Sequence, residues 1–165
     1  MKKKIAIGAC ILAALLVAGG LWYTRPQTFW QATGMDRDSV TGASAYAIEG
    51  SVTDGTASQQ TWMLDNLIPG QEDYESLVDL LEGTTYRANL QNLLPPSSSH
   101  STNHVIAAAA FALGDELITV HADYPGNVWI SSPAHNRTLV FSVSSQDLNE
   151  ILANFIQQRG AAGNP

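Results

Sequence analysis

The chain has 165 residues, of which 45% are hydrophobic and 14% are charged, and this length suits one folded domain plus an appendage. All fifteen Asp and Glu residues follow Arg25, and only four Arg residues lie in the same part, which therefore carries a net charge of −11. An acidic field of this size repels phosphate backbones, which excludes nucleic acid as a partner.

The N-terminal segment differs in composition from the rest of the chain. Three lysines at positions 2–4 precede an uncharged run of 19 residues, from Ile5 to Tyr23. As a helix this run would be about 28 Å long, close to the ~30 Å hydrocarbon thickness of a bilayer. Because positive charge stays on the cytoplasmic side, we expect a single-pass protein of the cell membrane, bound through residues 5–23, with its C-terminal domain outside.

A cleaved signal peptide is the alternative, with Ala18-Gly19-Gly20 as the cleavage site, and it would give a secreted protein. We therefore assign residues 1–25 to a signal anchor or signal peptide, 26–160 to an extracytoplasmic α+β domain, and 161–165 to a flexible tail. The only cysteine, Cys10, lies in the apolar run, so the exported part folds without disulfides.

The first elements of the exported domain are predicted to be an aromatic lid and a β-hairpin. Phe29 and Trp30 are expected to pack as a lid on the core, because burying two aromatic side chains is favourable. Val40 to Val52 alternates loosely between apolar and polar residues, and residues 53–56 are typical of a turn. Gln59 to Asp65 then indicates the partner strand.

A helix and a group of strands are predicted next. Gln71 to Glu82 places apolar residues at the spacing of one helical face. Thr84 to Leu90 indicates a strand, and a serine-rich loop follows at 95–101. Four short apolar runs separated by turn residues then predict an antiparallel meander, at 104–113, 117–121, 127–131 and 137–143.

The last element is predicted to be a second helix, because an apolar stripe runs from Leu148 to Ile156. The segment Ser144-Ser145-Gln146-Asp147 offers Ser144 as its N-cap, with the acid Asp147 three residues later. The order of elements predicts an α+β fold: an antiparallel sheet with two helices on one face, preceded by an N-terminal transmembrane helix.

Candidate chemistry is sparse, and the sequence identifies no catalytic residue and predicts no cofactor. His121 and Asp123 would lie on the same side of a strand, where His135 from a nearby turn could join them as metal ligands or as a general base with its orienting acid. A surface His and Asp at a strand end is the favoured interpretation, because no nucleophile or substrate pocket is evident. His100 and His104 lack the further ligands of a zinc site, and Ser97–Ser99 lack a nucleophile turn.

Aromatic residues offer a second candidate surface, since aromatic side chains are favoured at recognition sites, although burial in the core is their default. The candidates are Tyr46, Trp62, Tyr86, Tyr124 and Trp129.

With the anchor, Phe29-Trp30, Asp73-Tyr74 and the final strand and helix from Leu139 to Phe155, the chain resembles a family of small, uncharacterised, membrane-anchored extracytoplasmic proteins of Gram-positive bacteria. The resemblance implies no activity. The sequence favours a non-enzymatic interaction module that meets a protein partner at the membrane or cell envelope. The alternative is a small metal-binding or hydrolytic domain that uses His121, Asp123 and His135.

Overall fold

A computed structural model of the chain describes residues 2–53, 56–93, 105–123, 126–133, 137–145 and 147–163, without the side chains of 2–6, 51–53, 56–57 and 137. The helices are α1 (Lys2–Tyr23), α2 (Phe29–Thr33), α3 (Glu72–Glu82) and α4 (Leu148–Arg159), with short 3-10 helices at Arg37–Ser39 and Leu90–Leu93. The strands are β1 (Gly42–Thr53), β2 (Thr56–Leu67), β3 (Tyr86–Ala88), β4 (Val105–Leu113), β5 (Glu116–Asp123), β6 (Asn127–Ser132), β7 (Arg137–Val143) and β8 (Ala161–Gly163). The serine-rich loop with His100 and His104, and the turn residues 54–55, 124–125 and 134–136, lie outside the described residues.

The strands form one sheet in the order β3-β7-β6-β5-β4-β1-β2-β8, and each neighbouring pair is antiparallel. Strands β4 to β7 are the predicted meander, and β1 and β2 are the predicted hairpin. Both edge strands, β3 and β8, are three residues long, and β8 pairs only with Thr61–Met63 of the longer β2. The predicted α+β fold with an antiparallel sheet is confirmed.

The core lies on one face of this sheet. Alternate residues of each strand point into it, as Ile118, Val120 and Ala122 do from β5. The apolar faces of α3 and α4 bury their side chains in the same core. Alanines occupy its centre on β1 and β4, and their small side chains leave room for α4, which packs across both strands. These core alanines are Ala43, Ala45, Ala47, Ala107 and Ala109.

The predicted aromatic lid is the short helix α2, which the sequence analysis did not predict as a helix. Thr28 and Gln31 form a capping box at its start. Phe29 is 0% exposed and its ring centroid lies 5.5 Å from that of Phe111. Trp30 is half-buried and its indole N–H donates to Glu82 of α3. The lid is therefore held by both apolar and polar contacts.

Two local predictions were wrong because polar side chains bond elsewhere. The strand predicted at 84–90 stops at Ala88, since Asn89 Oδ1 accepts from the Gln91 backbone N–H at 3.0 Å and starts a 3-10 helix. The N-cap residue of α4 is Asp147, and its side chain makes no capping hydrogen bond to the helix. Ser144 does not cap it, because Ser144 Oγ accepts from the Thr85 backbone N–H at 3.1 Å.

The predicted flexible tail also needs correction, since its residues 161–163 form the edge strand β8 against Thr61–Met63 of β2. Gly160 makes this return possible. A Cβ there would lie 2.6 Å from the Ile156 carbonyl oxygen and 2.8 Å from that of Met63, so any side chain would push α4 and β2 apart.

Asn92 is a buried polar residue that holds β7. Its Oδ1 accepts from the Val140 backbone N–H at 2.9 Å, and its Nδ2 donates to the Val140 carbonyl at 2.8 Å.

We expect Asn92→Ala to lower the free energy of unfolding by about 1–3 kcal/mol, since it removes both bonds from a buried site. Urea unfolding of the full chain in mild detergent measures this. Gln91→Ala, at an exposed neighbour, is the control, and equal losses in the two variants would contradict the assignment.

Helix α1 contains 22 residues, and its side chains from Ile7 to Leu21 are almost all exposed. Within the part of the chain that the structure describes, no helix combines the length and the apolarity required to cross a membrane.

Candidate functional site

The face of the sheet opposite the core, here called the open face, carries the side chains that alternate along each strand with the core residues. Its central row crosses six strands through directly paired residues, because the strand registers place them side by side. In spatial order the row is Met63, Tyr46, Ala108, His121, Trp129 and Val140. An imidazole and an indole thus lie next to each other in the middle of the sheet.

A row of hydroxyl groups runs beside the central row. Thr119 pairs with Ser131, and Ser131 pairs with Thr138, so three hydroxyls lie on three consecutive strands. Directly opposite residues have Cβ atoms about 4.5–5.5 Å apart, which makes the three groups a continuous polar strip. Ala110 and Ser44 extend the same row toward β1.

His121, in the central row, is half-buried. Its Nδ1 lies 3.5 Å from the Tyr46 hydroxyl, and the two rings are 6.1 Å apart in an edge-on arrangement. Burial lowers the pKa of His121 below its ordinary value of 6.5, because desolvation disfavours the charged imidazolium. The imidazole is therefore neutral at pH 7, with one nitrogen as a donor and the other as an acceptor. Burial also raises the pKa of the Tyr46 hydroxyl, which keeps that group protonated.

Residues from both rows, His121 among them, line a groove of about 510 Å³ on the open face. Ile106 of β4, which is 38% exposed, supplies an apolar wall. The groove falls within the range of about 300–1,000 Å³ that is usual for small-molecule sites. Its polar and aromatic lining comes from Thr119, His121, Asp123, Trp129, Ser131 and Thr138.

The predicted site residues are partly brought together. His121 and Asp123 line the same groove, as their spacing on a strand predicts. His135 lies outside the described residues, so the three-residue site stays a prediction. Among the residues that the structure describes, no three His, Cys, Asp or Glu side chains lie close enough to hold a metal ion.

The predicted aromatic surface is divided between the two faces. Tyr46 and Trp129 lie on the open face, whereas Tyr86 is fully buried in the core and donates to the Leu81 carbonyl at 2.9 Å. Trp62 packs against the core from β2. Tyr124 lies outside the described residues.

The sequence analysis missed the hydroxyl row and the apolar wall. Their signal was the alternation of β5 and β6, in which Thr119 and Ser131 have the same strand parity as His121 and Trp129. Alternation assigns residues to a face but does not pair them, because pairing depends on register.

Comparison with known proteins adds nothing to the site, since no family model, curated protein or solved structure matches this chain.

The buried imidazole predicts a pH dependence of stability. As the pH falls below 6.5, His121 takes up a proton in the unfolded chain but stays neutral in the folded chain, because its pKa is lowered there. The unfolded state is favoured as a result, and the native state loses stability. This loss continues until the pH falls below the lowered pKa of the folded state. We expect His121→Gln to lose less stability than the parent between pH 7.5 and pH 5, as measured by urea unfolding at each pH. Ser131→Ala, which keeps the imidazole, should follow the parent, and an identical pH profile for His121→Gln would contradict the prediction.

Proposed function

We propose that this protein is a membrane-anchored interaction module that displays the open face outside the cytoplasm. The observation that carries the proposal is the surface of α1. Its large apolar side chains are 57–69% exposed and lie on every side of the helix. They are Ile7, Ile11, Leu12, Leu15, Leu16, Val17 and Leu21.

A helix that is apolar all round is stable inside a protein core or a bilayer, not in water. The uncharged part of the helix, Ile5 to Tyr23, is 19 residues long, which corresponds to about 28 Å at 1.5 Å per residue and is close to the thickness of a bilayer core. Ile5 and Ala6 extend the apolar run toward the N-terminus ahead of Ile7. Trp22 lies at its other end with the Arg25 guanidinium 4.1 Å from the ring centroid, an aromatic and basic pair suited to the membrane interface.

The open face supports the interaction role. A groove that combines an indole, an imidazole and several hydroxyls provides both apolar area and hydrogen-bonding groups, as recognition sites do. The exported part would hold this face close to the membrane, where a partner of the membrane or cell envelope would meet it.

Protease accessibility tests the orientation. We expect a protease added to intact cells to digest the C-terminal domain of the full chain, carrying a C-terminal epitope, and to leave α1 protected. Replacing Lys2, Lys3 and Lys4 together by Gln removes the N-terminal positive charge, so that Arg25 becomes the dominant basic residue and part of the population inverts.

Arg25→Gln is the matched control, because it leaves the lysines and should preserve the parental orientation. A domain that resists the protease until the cells are lysed would contradict the proposal. Release of the domain into the medium would instead support a cleaved signal peptide.

A further inference from the structure

The groove on the open face has a lining that restricts what it can bind. Among the described lining side chains, Asp123 is the only acidic one, and burial lowers the pKa of His121, the only basic one. No described Lys or Arg side chain lines the groove. A phosphate or carboxylate ligand would find no cationic side chain among the described lining residues, and the acidic field of the domain would repel it.

The polar lining consists mainly of groups that both donate and accept. Each hydroxyl of Thr119, Ser131 and Thr138 offers one donor and two acceptor positions, and the neutral imidazole adds one of each. Their strip follows the direction across the strands, so consecutive groups meet a ligand at a regular spacing. A ligand that satisfies them carries several hydroxyls in a row.

Trp129 supplies a large apolar surface directly beside this strip. Its ring lines the groove next to His121, with which it is paired across β5 and β6. A flat aromatic face beside hydrogen-bonding groups suits a ligand whose ring presents carbon-bound hydrogens on one side and hydroxyls at its edge. Sugar rings combine these two features.

We propose that the groove is a binding site for a neutral oligosaccharide, with Trp129 packing against a sugar ring and the hydroxyl strip bonding its edge. The inference rests on the proposed use of the open face for recognition but not on the anchoring by α1. Its ligand class is an uncharged glycan of the cell envelope.

Direct binding to the full chain in detergent micelles tests the inference. The probes are maltopentaose, cellopentaose and penta-N-acetylchitopentaose, followed by saturation-transfer NMR and by calorimetry. We expect one of them to bind and Trp129→Ala to weaken that binding about tenfold or more, the size of a lost stacking contact. Met63→Ala, in the same row but outside the groove, should change the affinity by less than about twofold.

A second pair of variants removes hydroxyls without changing the aromatic ring. Thr119→Val combined with Ser131→Ala should weaken binding about fivefold or more, as two lost hydrogen bonds predict. Ser44→Ala, in the same row beyond the groove, should leave the affinity unchanged. These variants keep the test informative if Trp129→Ala fails to fold.

Three results would overturn the inference. They are no binding of any neutral probe at millimolar concentration, binding that both groove variants leave intact, and stronger binding of spermidine or of a hyaluronan tetrasaccharide than of any neutral probe. Because the measurement uses detergent-solubilised protein, a failure here leaves the anchoring proposal standing. A failure of the anchoring test likewise leaves this inference standing.

Discussion

Replacing Phe29 with alanine is expected to lower the free energy of unfolding by about 3–5 kcal/mol, the usual cost of truncating a fully buried Phe. The ring is 0% exposed and packs among three aromatic rings, with centroid distances of 5.0 Å to Trp30, 5.5 Å to Phe111 and 5.9 Å to Tyr86. These partners come from α2, β4 and β3, so the cavity would loosen the lid and both strands together.

Urea unfolding of the full chain in mild detergent measures this loss. Leu90→Ala is the matched control, because Leu90 is 53% exposed and its truncation should cost within about 0.5 kcal/mol. A loss below about 1 kcal/mol for Phe29→Ala would mean that the core does not close over this ring.

Introducing two charges into α1 is expected to have the largest effect on location. An Arg near the centre of a membrane helix costs about 2.5–3.5 kcal/mol on insertion scales, so Leu12→Arg with Leu16→Arg should cost about 5–7 kcal/mol and release the protein from the membrane. Both side chains are 60–69% exposed, so the folded domain should not be affected.

The matched control places the same two charges on the C-terminal domain. Leu90→Arg with Leu117→Arg changes side chains that are 53% and 56% exposed, and this variant should stay in the membrane fraction. If the α1 variant remained membrane-bound to the same extent as the parent, α1 would not be the anchor.

The helices α3 and α4 and the meander could be predicted from the sequence because their patterns are local. In α3, Tyr74, Leu77, Val78 and Leu81 recur at helical spacing, and all four are buried. The short strands β4 to β7 are bounded by turn residues that identify each end. Such features depend on neighbours within a few residues, which a single sequence displays directly.

Elements that depend on distant partners could not be predicted. Helix α2 is five residues long and too short for a periodic pattern, although its capping box was readable at Thr28 and Gln31. Strand β8 contains only Ala and Gly, and it exists because β2 offers backbone partners at Thr61–Met63. The composition of residues 161–163 indicates flexibility, and tertiary pairing overrides it.

The candidate site was predicted in part for the same reason. The spacing of His121 and Asp123 places both on one side of a strand, and the structure finds both in one groove. The neighbours of His121, which are Tyr46 on β1 and Trp129 on β6, follow only from the strand order and register. A single sequence does not contain that register explicitly.

Alkaline extraction of membranes from cells that express the full chain tests the central claim most directly, when combined with the intact mass of the product. The account predicts that the protein stays in the membrane pellet at the mass of all 165 residues. A product released into the supernatant, or one that lacks the residues before Leu21, would contradict it.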